Sequence, residues 1–363
     1  MRVAAQAELI AAAVGDGYVP WQVHWDLTYA CQLKCAHCYQ MNLDWNRKGE
    51  LSTERIVETL DELRGLGTQE LTFSGGDPFV RRDFAALVER ACVNEFAVTI
   101  YSSGAAIKPD VARHLAACGV ESVEVTLMGA DAETHDALTR RPGSFGRLLG
   151  SIANLRQVGV SVKGKTIVTR DNLHQVERIV ALCEELGIDS QMDPNVWRPW
   201  KGSEMQVRHL KLDAEGRREF HRRYGKPRPQ DRTCAMGVEL CNAGRKRLGI
   251  TPFGKVNPCI TYGEGMVLGD LHDQSITEIW LGSPVMREYR AMTSESYPKC
   301  HSCTMSAFCD WCPGLFSWAG NEYTEPYASL CEDTDAKKHV WEERAGRTWK
   351  PLPVVRGEPV APA

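Results

Sequence analysis

Cys31, Cys35 and Cys38 fall within eight positions, in the stretch CQLKCAHCY. Thiolates separated by three and two residues can grip one face of a compact centre from a single loop. Structural zinc ordinarily takes four protein ligands, so a three-thiol loop leaves one metal corner open. Thiolate-only coordination suits iron in an iron–sulfur cluster, where an iron without a protein ligand can bind and polarise a small molecule. The alternative on spacing is zinc completed by His24 or His37.

Eight further cysteines crowd the second half: Cys234, Cys241, Cys259, Cys300, Cys303, Cys309, Cys312 and Cys331. Eight thiols are enough for two four-thiolate centres, of zinc or of [4Fe–4S] type. Cys92, Cys118 and Cys183 lie in expected helices and read as buried apolar residues. Clustering of eleven among fourteen cysteines at metal-ligand spacings points to a reducing, cytoplasmic setting. Secreted disulfide scaffolds are usually far shorter than 363 residues.

Composition narrows the partners. Net charge is −4, with 25% charged residues, so no basic field suits nucleic acid. No run approaches the roughly 18 apolar residues of a membrane span. Residues 1–20 read as a short amphipathic helix rather than a signal peptide.

The elements that must hold the first thiol group follow from periodicity. WQVHWDLT (21–28) alternates and ends just before Cys31. LSTERIVETLDELRGLG then reads as a helix capped by Ser52, with Ile56, Leu60 and Leu63 on one face. Strands are expected at QELTFSGG, FAVTIYSSG, VESVEVTLMG, VSVKGKTIVT and DSQMDPNVW. Helices are expected at RDFAALVERAC, PDVARHLAACG, SFGRLLGSIANLRQVG and NLHQVERIVALCEELG. Strand-then-helix units without hairpin signals argue for a parallel sheet with right-handed crossovers. Six strands are too few to close an eight-fold barrel, so the fold class is α/β, a partial (β/α)6 barrel with its site at the strand C-termini. The expected divisions are an N-terminal helix (1–20), the barrel (21–200), a basic linker helix (201–233), a small cysteine-rich domain (234–335) and a tail (336–363).

With these motifs in place, the chain resembles radical S-adenosylmethionine (SAM) enzymes. CQLKCAHCY fits their CxxxCxxC signature. The resemblance implies a [4Fe–4S] cluster on Cys31, Cys35 and Cys38, with SAM chelating the fourth iron. SGGDP resembles the GGE-type motif that holds the SAM methionine group, placing Gly75, Gly76, Asp77 and Pro78 at the cofactor, with Asp77 in place of the usual Glu. YSSG resembles the segment beside the SAM ribose and implicates Ser102 and Ser103. TLMG resembles SLDG; Thr126 takes the serine position near the SAM carboxylate, Met128 departs from the usual Asp, and Arg140 is the matching arginine, with Arg141 its alternative.

The second half resembles the SPASM auxiliary-cluster domain, opening with a hairpin that turns at Gly254. By that likeness Cys234, Cys241, Cys259 and Cys312 hold one auxiliary [4Fe–4S] cluster and Cys300, Cys303, Cys309 and Cys331 a second, making three clusters. Cys234 is the weakest member of the set.

The resemblance implies reductive cleavage of SAM to a 5′-deoxyadenosyl radical and hydrogen abstraction from a ribosomally made peptide. A crosslink, a thioether or an epimerised residue would result. It also implies an external electron donor such as flavodoxin or ferredoxin. The short segment before the barrel leaves leader recognition to a separate protein, unless the basic stretch 208–232 contacts an acidic leader instead of forming a solvated face. Other readings are a radical SAM dehydrogenase of a small metabolite and a formylglycine-forming sulfatase maturase. Ile260 after Cys259 counts against the maturase, where an aspartate base follows. The non-enzymatic reading is a zinc-bound peptide-binding scaffold. Asp26, Lys163, Lys165, Asp193, Asn195, Arg198 and Trp200 are expected near the site without assigned roles.

Overall fold

The computed structural model describes residues 17–41, 43, 47–230, 241–263, 265–317 and 324–350. The expected N-terminal helix falls almost wholly, Cys234 wholly, outside these residues, as does the last part of the tail.

Six parallel strands come first: β1 (Gln22–Thr28), β2 (Glu70–Gly75), β3 (Ala97–Ser102), β4 (Ser122–Thr126), β5 (Ser161–Ile167) and β6 (Asp189–Asp193). They lie side by side in chain order. Between them run α1 (Thr53–Gly65), α2 (Phe84–Val93), α3 (Pro109–Cys118), α4 (Ala132–Thr139), α5 (Ser144–Gln157) and α6 (Val176–Leu186). Strand alternation divides the work of the barrel. Trp25, Leu71, Phe73, Val98, Ile100, Val123 and Val125 are buried in one core with Leu60 and Leu63 of α1, Leu115 of α3 and Ile152 of α5. Each such aliphatic side chain contributes about 1.5–3 kcal/mol on burial. The intervening residues, His24, Asp26, Ser74, Tyr101, Glu124 and Lys165, occupy the opposite face. Ser52 caps α1 by accepting from the Arg55 amide at 3.2 Å.

Several features depart from the sequence reading. α4 occupies a stretch left without an element, where Asp131 caps it by accepting from the Thr134 amide at 3.0 Å. The cysteine-rich part is also continuous with the barrel sheet. β7 (Arg247–Ile250) pairs in parallel with β1, and β8 (Lys255–Asn257) and β9 (Gly269–Asp270) extend the sheet antiparallel to nine strands. The β7–β8 hairpin turns at Gly254, whose φ of +75° explains the glycine.

Among its described residues the linker holds a 3-10 turn at Glu204–Gln206 and one short α-helix, α7 (Ala214–Phe220), continued by a wide turn at His221–Gly225. Its arginines face the protein's own carboxylates: Arg222 pairs with Glu215 and Glu343, and Arg223 with Glu177 and Glu219. Arg222 and Arg223 are thus neutralised by carboxylates of the protein itself. Beyond α8 (Ile276–Gly282) and α9 (Pro284–Arg290), α10 (Ala328–Ala345) runs straight across the boundary expected at 335–336. Buried Arg217 fastens α10 to the barrel, donating to Asn195 Oδ1 at 3.0 Å and Ser329 Oγ at 2.9 Å. No helix among the described residues is long and apolar enough to cross a membrane.

Candidate active site

A cavity of about 710 Å³ opens at the C-terminal ends of the barrel strands. Cys31, Cys35 and Cys38 line it together, on the loop that leaves β1. The loop is held from two sides. Its Lys34 and Ala36 amides donate to the Thr139 and Leu138 carbonyls at 3.2 and 2.8 Å, at the C-terminus of α4. From the other side, the Gly76 amide donates to the Thr28 carbonyl at 2.7 Å and the Asp77 amide to the Ala30 carbonyl at 3.0 Å.

The two glycines of SGGDP are required by that contact. Gly75 has φ +127°, and a Cβ there would stand 2.0 Å from the Thr28 oxygen. A Cβ on Gly76 would stand 2.3 Å from the Ala30 oxygen. Both glycines line the cavity, but the contact that excludes a side chain is with the backbone entering the cysteine loop.

Asp77 and Pro78, expected at the cofactor, do not line the cavity. The Asp77 carboxylate is fully buried and works as a bracket between three loops. It accepts from Gln32 Nε2 at 2.8 Å, Ser102 Oγ at 3.0 Å, and the Ser103 amide and hydroxyl at 3.0 and 2.5 Å. Its second oxygen accepts from the Phe79 amide at 3.1 Å. Burial raises its pKa in spite of these donors. Ser102 and Ser103 do reach the cavity wall, yet both hydroxyls donate to Asp77, while Ser103 Oγ accepts from Gln32 Nε2 and the Ala105 amide and Ser102 Oγ accepts from the Gly104 amide, so both are committed within the protein.

Thr126 and Arg140 line the cavity as expected; Arg141 and Met128 do not. Arg140 follows α4 directly in the left-handed region, at φ +52°, and its charge lies close enough to favour the Cys35 thiolate. Met128 is instead in a small core with Ala36 and Leu138. Among the residues without assigned roles, Lys165 and Asn195 face the cavity, whereas Arg198 lines a neighbouring cleft of about 1480 Å³ that also holds Cys331. Trp200 packs against Tyr39, with ring centroids 5.0 Å apart. Sequence reasoning overlooked Glu124, a carboxylate on the inward face of a strand, which alternation could have flagged.

The three loop thiols fit an iron–sulfur cluster by chemistry and placement. All are free; beyond burial, Cys38 discourages ionisation of both Cys31 and Cys35, and Cys31 that of Cys35. Burial, with Asp77 and Cys38 adding, pushes the Cys31 thiol up to about 12, so a bound metal would be needed to keep it as thiolate. His37 is buried too, and burial lowers it to about 4, leaving a neutral ring.

In the second half the thiols sort into two neighbourhoods. Burial, then Cys259 and Cys241, pushes Cys312 up to about 12. Cys309 is raised by burial and by Cys331 and Cys303, and the Cys303 amide donates to the Cys300 carbonyl at 3.1 Å. Cys241, Cys259 and Cys312 thus neighbour one another, as do Cys303, Cys309 and Cys331, while among the described residues no three His, Cys, Asp or Glu side chains are placed to hold a single metal ion.

Comparison with known proteins is consistent across the chain. Residues 25–183 match the model of the radical SAM superfamily, and residues 241–304 that of the SPASM iron–sulfur cluster-binding domain. The mycofactocin maturase MftC of Mycolicibacterium smegmatis is 32% identical over 77% of this chain and 74% of its own length. An AdoMet-dependent heme synthase of Methanosarcina barkeri is 28% identical over 85% of this chain and 96% of its own. The PqqA peptide cyclase of Granulibacter bethesdensis is 24% identical, over 88% of each. Among solved structures, anSMEcpe with bound AdoMet superposes with a TM-score of 0.69 at 15% identity, covering 89% of this chain and 97% of that one. SuiB of Streptococcus suis bound to S-adenosylmethionine gives 0.66 at 17% identity, covering 86% and 77%. These structural matches bear on the fold.

Proposed function

Because this chain belongs to the radical SAM superfamily and carries a SPASM iron–sulfur cluster-binding domain, we propose that it is a maturase of a ribosomally made peptide. The observation that supports this most is the 32% identity to mycofactocin maturase, over a span matching most of both proteins. Similarity to a PqqA peptide cyclase points the same way. The bound cluster and SAM supply hydrogen-atom abstraction from an unactivated carbon.

Cys31, Cys35 and Cys38 hold the SAM-binding cluster. Thr126 and Arg140 receive the SAM carboxylate, and the backbone of Gly75 and Gly76 borders its amino group. Asp77 fixes the loops that carry these contacts, and the enclosing barrel walls exclude water from the reacting carbon. Cys241, Cys259 and Cys312, with Cys234, hold the first auxiliary [4Fe–4S] cluster. Cys300, Cys303, Cys309 and Cys331 hold the second, bringing the total to three. A flavodoxin or ferredoxin supplies electrons, a separate protein presents the leader, and the work is done in the cytoplasm. The product is a crosslink, thioether or epimerised residue.

The test is incubation of the reconstituted enzyme with SAM, a reductant and each small peptide encoded beside its gene. The expected result is 5′-deoxyadenosine together with a mass change in one peptide. Turnover of a small metabolite and of no peptide would favour the dehydrogenase reading, to which the similarity to heme synthase lends support.

A further inference from the structure

One wall of the cavity carries a charge arrangement that the thiol loop does not use. Strand register sets Tyr101 beside Glu124, Glu124 beside Lys163, and Thr126 beside Lys165. The Glu124 side chain is only 9% exposed and sits between two ammonium groups. Lys163 Nζ lies 2.9 Å from one carboxylate oxygen and Lys165 Nζ 3.1 Å from the other. One carboxylate therefore faces two cations, and the trio carries a net charge of +1.

Only Lys165 of the two lysines reaches the cavity. Its Nζ lies 3.6 Å from the Tyr101 ring centroid, a cation–π contact that fixes the ammonium in place. An ammonium has three N–H donors. The ammonium is ion-paired with Glu124 and faces the ring, and its 32% exposed side chain leaves N–H donors for the cavity. Among the described residues, the charged side chains lining the cavity are Lys34, Arg140 and Lys165 against the carboxylate of Glu124. Arg140 is the cation beside the thiols, and Lys34 is on the cysteine loop itself. Lys165 belongs to β5, and it is held by a carboxylate that Lys163 already neutralises. A preorganised cation in a partly dry cavity favours an anionic group.

We propose that Lys165 Nζ, held by Glu124 and Tyr101, anchors a carboxylate of the peptide substrate on or next to the modified residue. This rests on the peptide reading above. It makes the enzyme selective for an acidic side chain or for the peptide C-terminus at the reacting position. The other carboxylate that could enter this cavity is that of SAM, and the experiment separates the two.

Reconstituted wild-type enzyme, Lys165→Met and Lys165→Arg are compared in SAM binding by equilibrium dialysis and in peptide KM and kcat. The probes are the peptides encoded beside the gene, each synthesised as the free acid, as the C-terminal amide, and with every Asp or Glu changed to Asn or Gln. The expected result is that one such neutralised peptide loses at least tenfold in KM with wild-type enzyme. Lys165→Met should lose as much with the free acid and nothing further with the neutralised peptide, while Lys165→Arg stays within about threefold, the pattern of a direct pair in a double-mutant cycle. SAM affinity should remain within twofold throughout. A tenfold loss of SAM affinity in Lys165→Met with unchanged peptide KM would assign Lys165 to SAM and overturn the proposal. So would wild-type enzyme indifferent to every neutralised peptide, a result that needs no variant to fold. If no peptide is turned over at all, the peptide reading fails first and this inference with it.

Discussion

Gly76 and Ala30 are in backbone contact: a Cβ on Gly76 would stand 2.3 Å from the Ala30 carbonyl oxygen and 2.5 Å from that of Tyr29. Those carbonyls lead directly into Cys31. Gly76→Ala must therefore push the cysteine loop away from β2. It should lower stability by about 1–3 kcal/mol, as overpacking does, and reduce the iron retained by the loop. Chemical denaturation and iron analysis after reconstitution check both effects.

Asp77 should matter to SAM without touching it. Asp77→Ala leaves the buried Ser102 and Ser103 donors without their acceptor, a loss of about 1–3 kcal/mol. The same change loosens the loops bearing Gly76 and Cys31. SAM affinity is expected to fall severalfold, with Asp77→Asn intermediate because one acceptor oxygen survives. Isothermal titration of the reconstituted variants measures this.

Asp193 gives the barrel a pH signature. It closes β6 and accepts from the Asn195 amide at 2.8 Å and side chain at 2.9 Å. Burial raises it from 3.8 to about 6, with Asp333 adding. Between those values the folded chain holds a proton that the unfolded chain has released. This residue's contribution therefore makes folding less favourable as pH rises from about 4 through about 6. Asp193→Asn should remove that slope, so the variant gains stability relative to wild type at pH 7 and not at pH 4. Paired urea melts across this window test the sign.

The barrel was legible because its strands alternate and its helices keep Ile56, Leu60 and Leu63 on one face. The thiol loop was legible from spacing, and the hairpin from Gly254. The β7–β1 pairing was not, since Gln22 and Arg247 are over 200 positions apart and parallel pairing leaves no local signature. α4 escaped notice because eight residues hold barely two turns, yet Leu138 and Thr139 supply the carbonyls that hold the cysteine loop. α10 had a readable signal in its pairs Lys338–Glu342 and His339–Glu343, four residues apart. The bracketing bonds of Asp77 to Gln32, Ser102 and Ser103 were not legible, because a motif shows which residues gather and not which way each side chain turns.

Under the proposed function, Cys31, Cys35 and Cys38 leave one iron corner for SAM. Its most direct test is 5′-deoxyadenosine release by the anaerobically reconstituted chain given SAM and dithionite, measured beside Cys38→Ala. The account predicts about twelve irons per chain, as three [4Fe–4S] clusters require, and steady release of 5′-deoxyadenosine. It predicts loss of about four irons and of at least a hundredfold in release for the variant. An iron-replete chain that releases none, or a Cys38→Ala variant that releases as much as wild type, would contradict it.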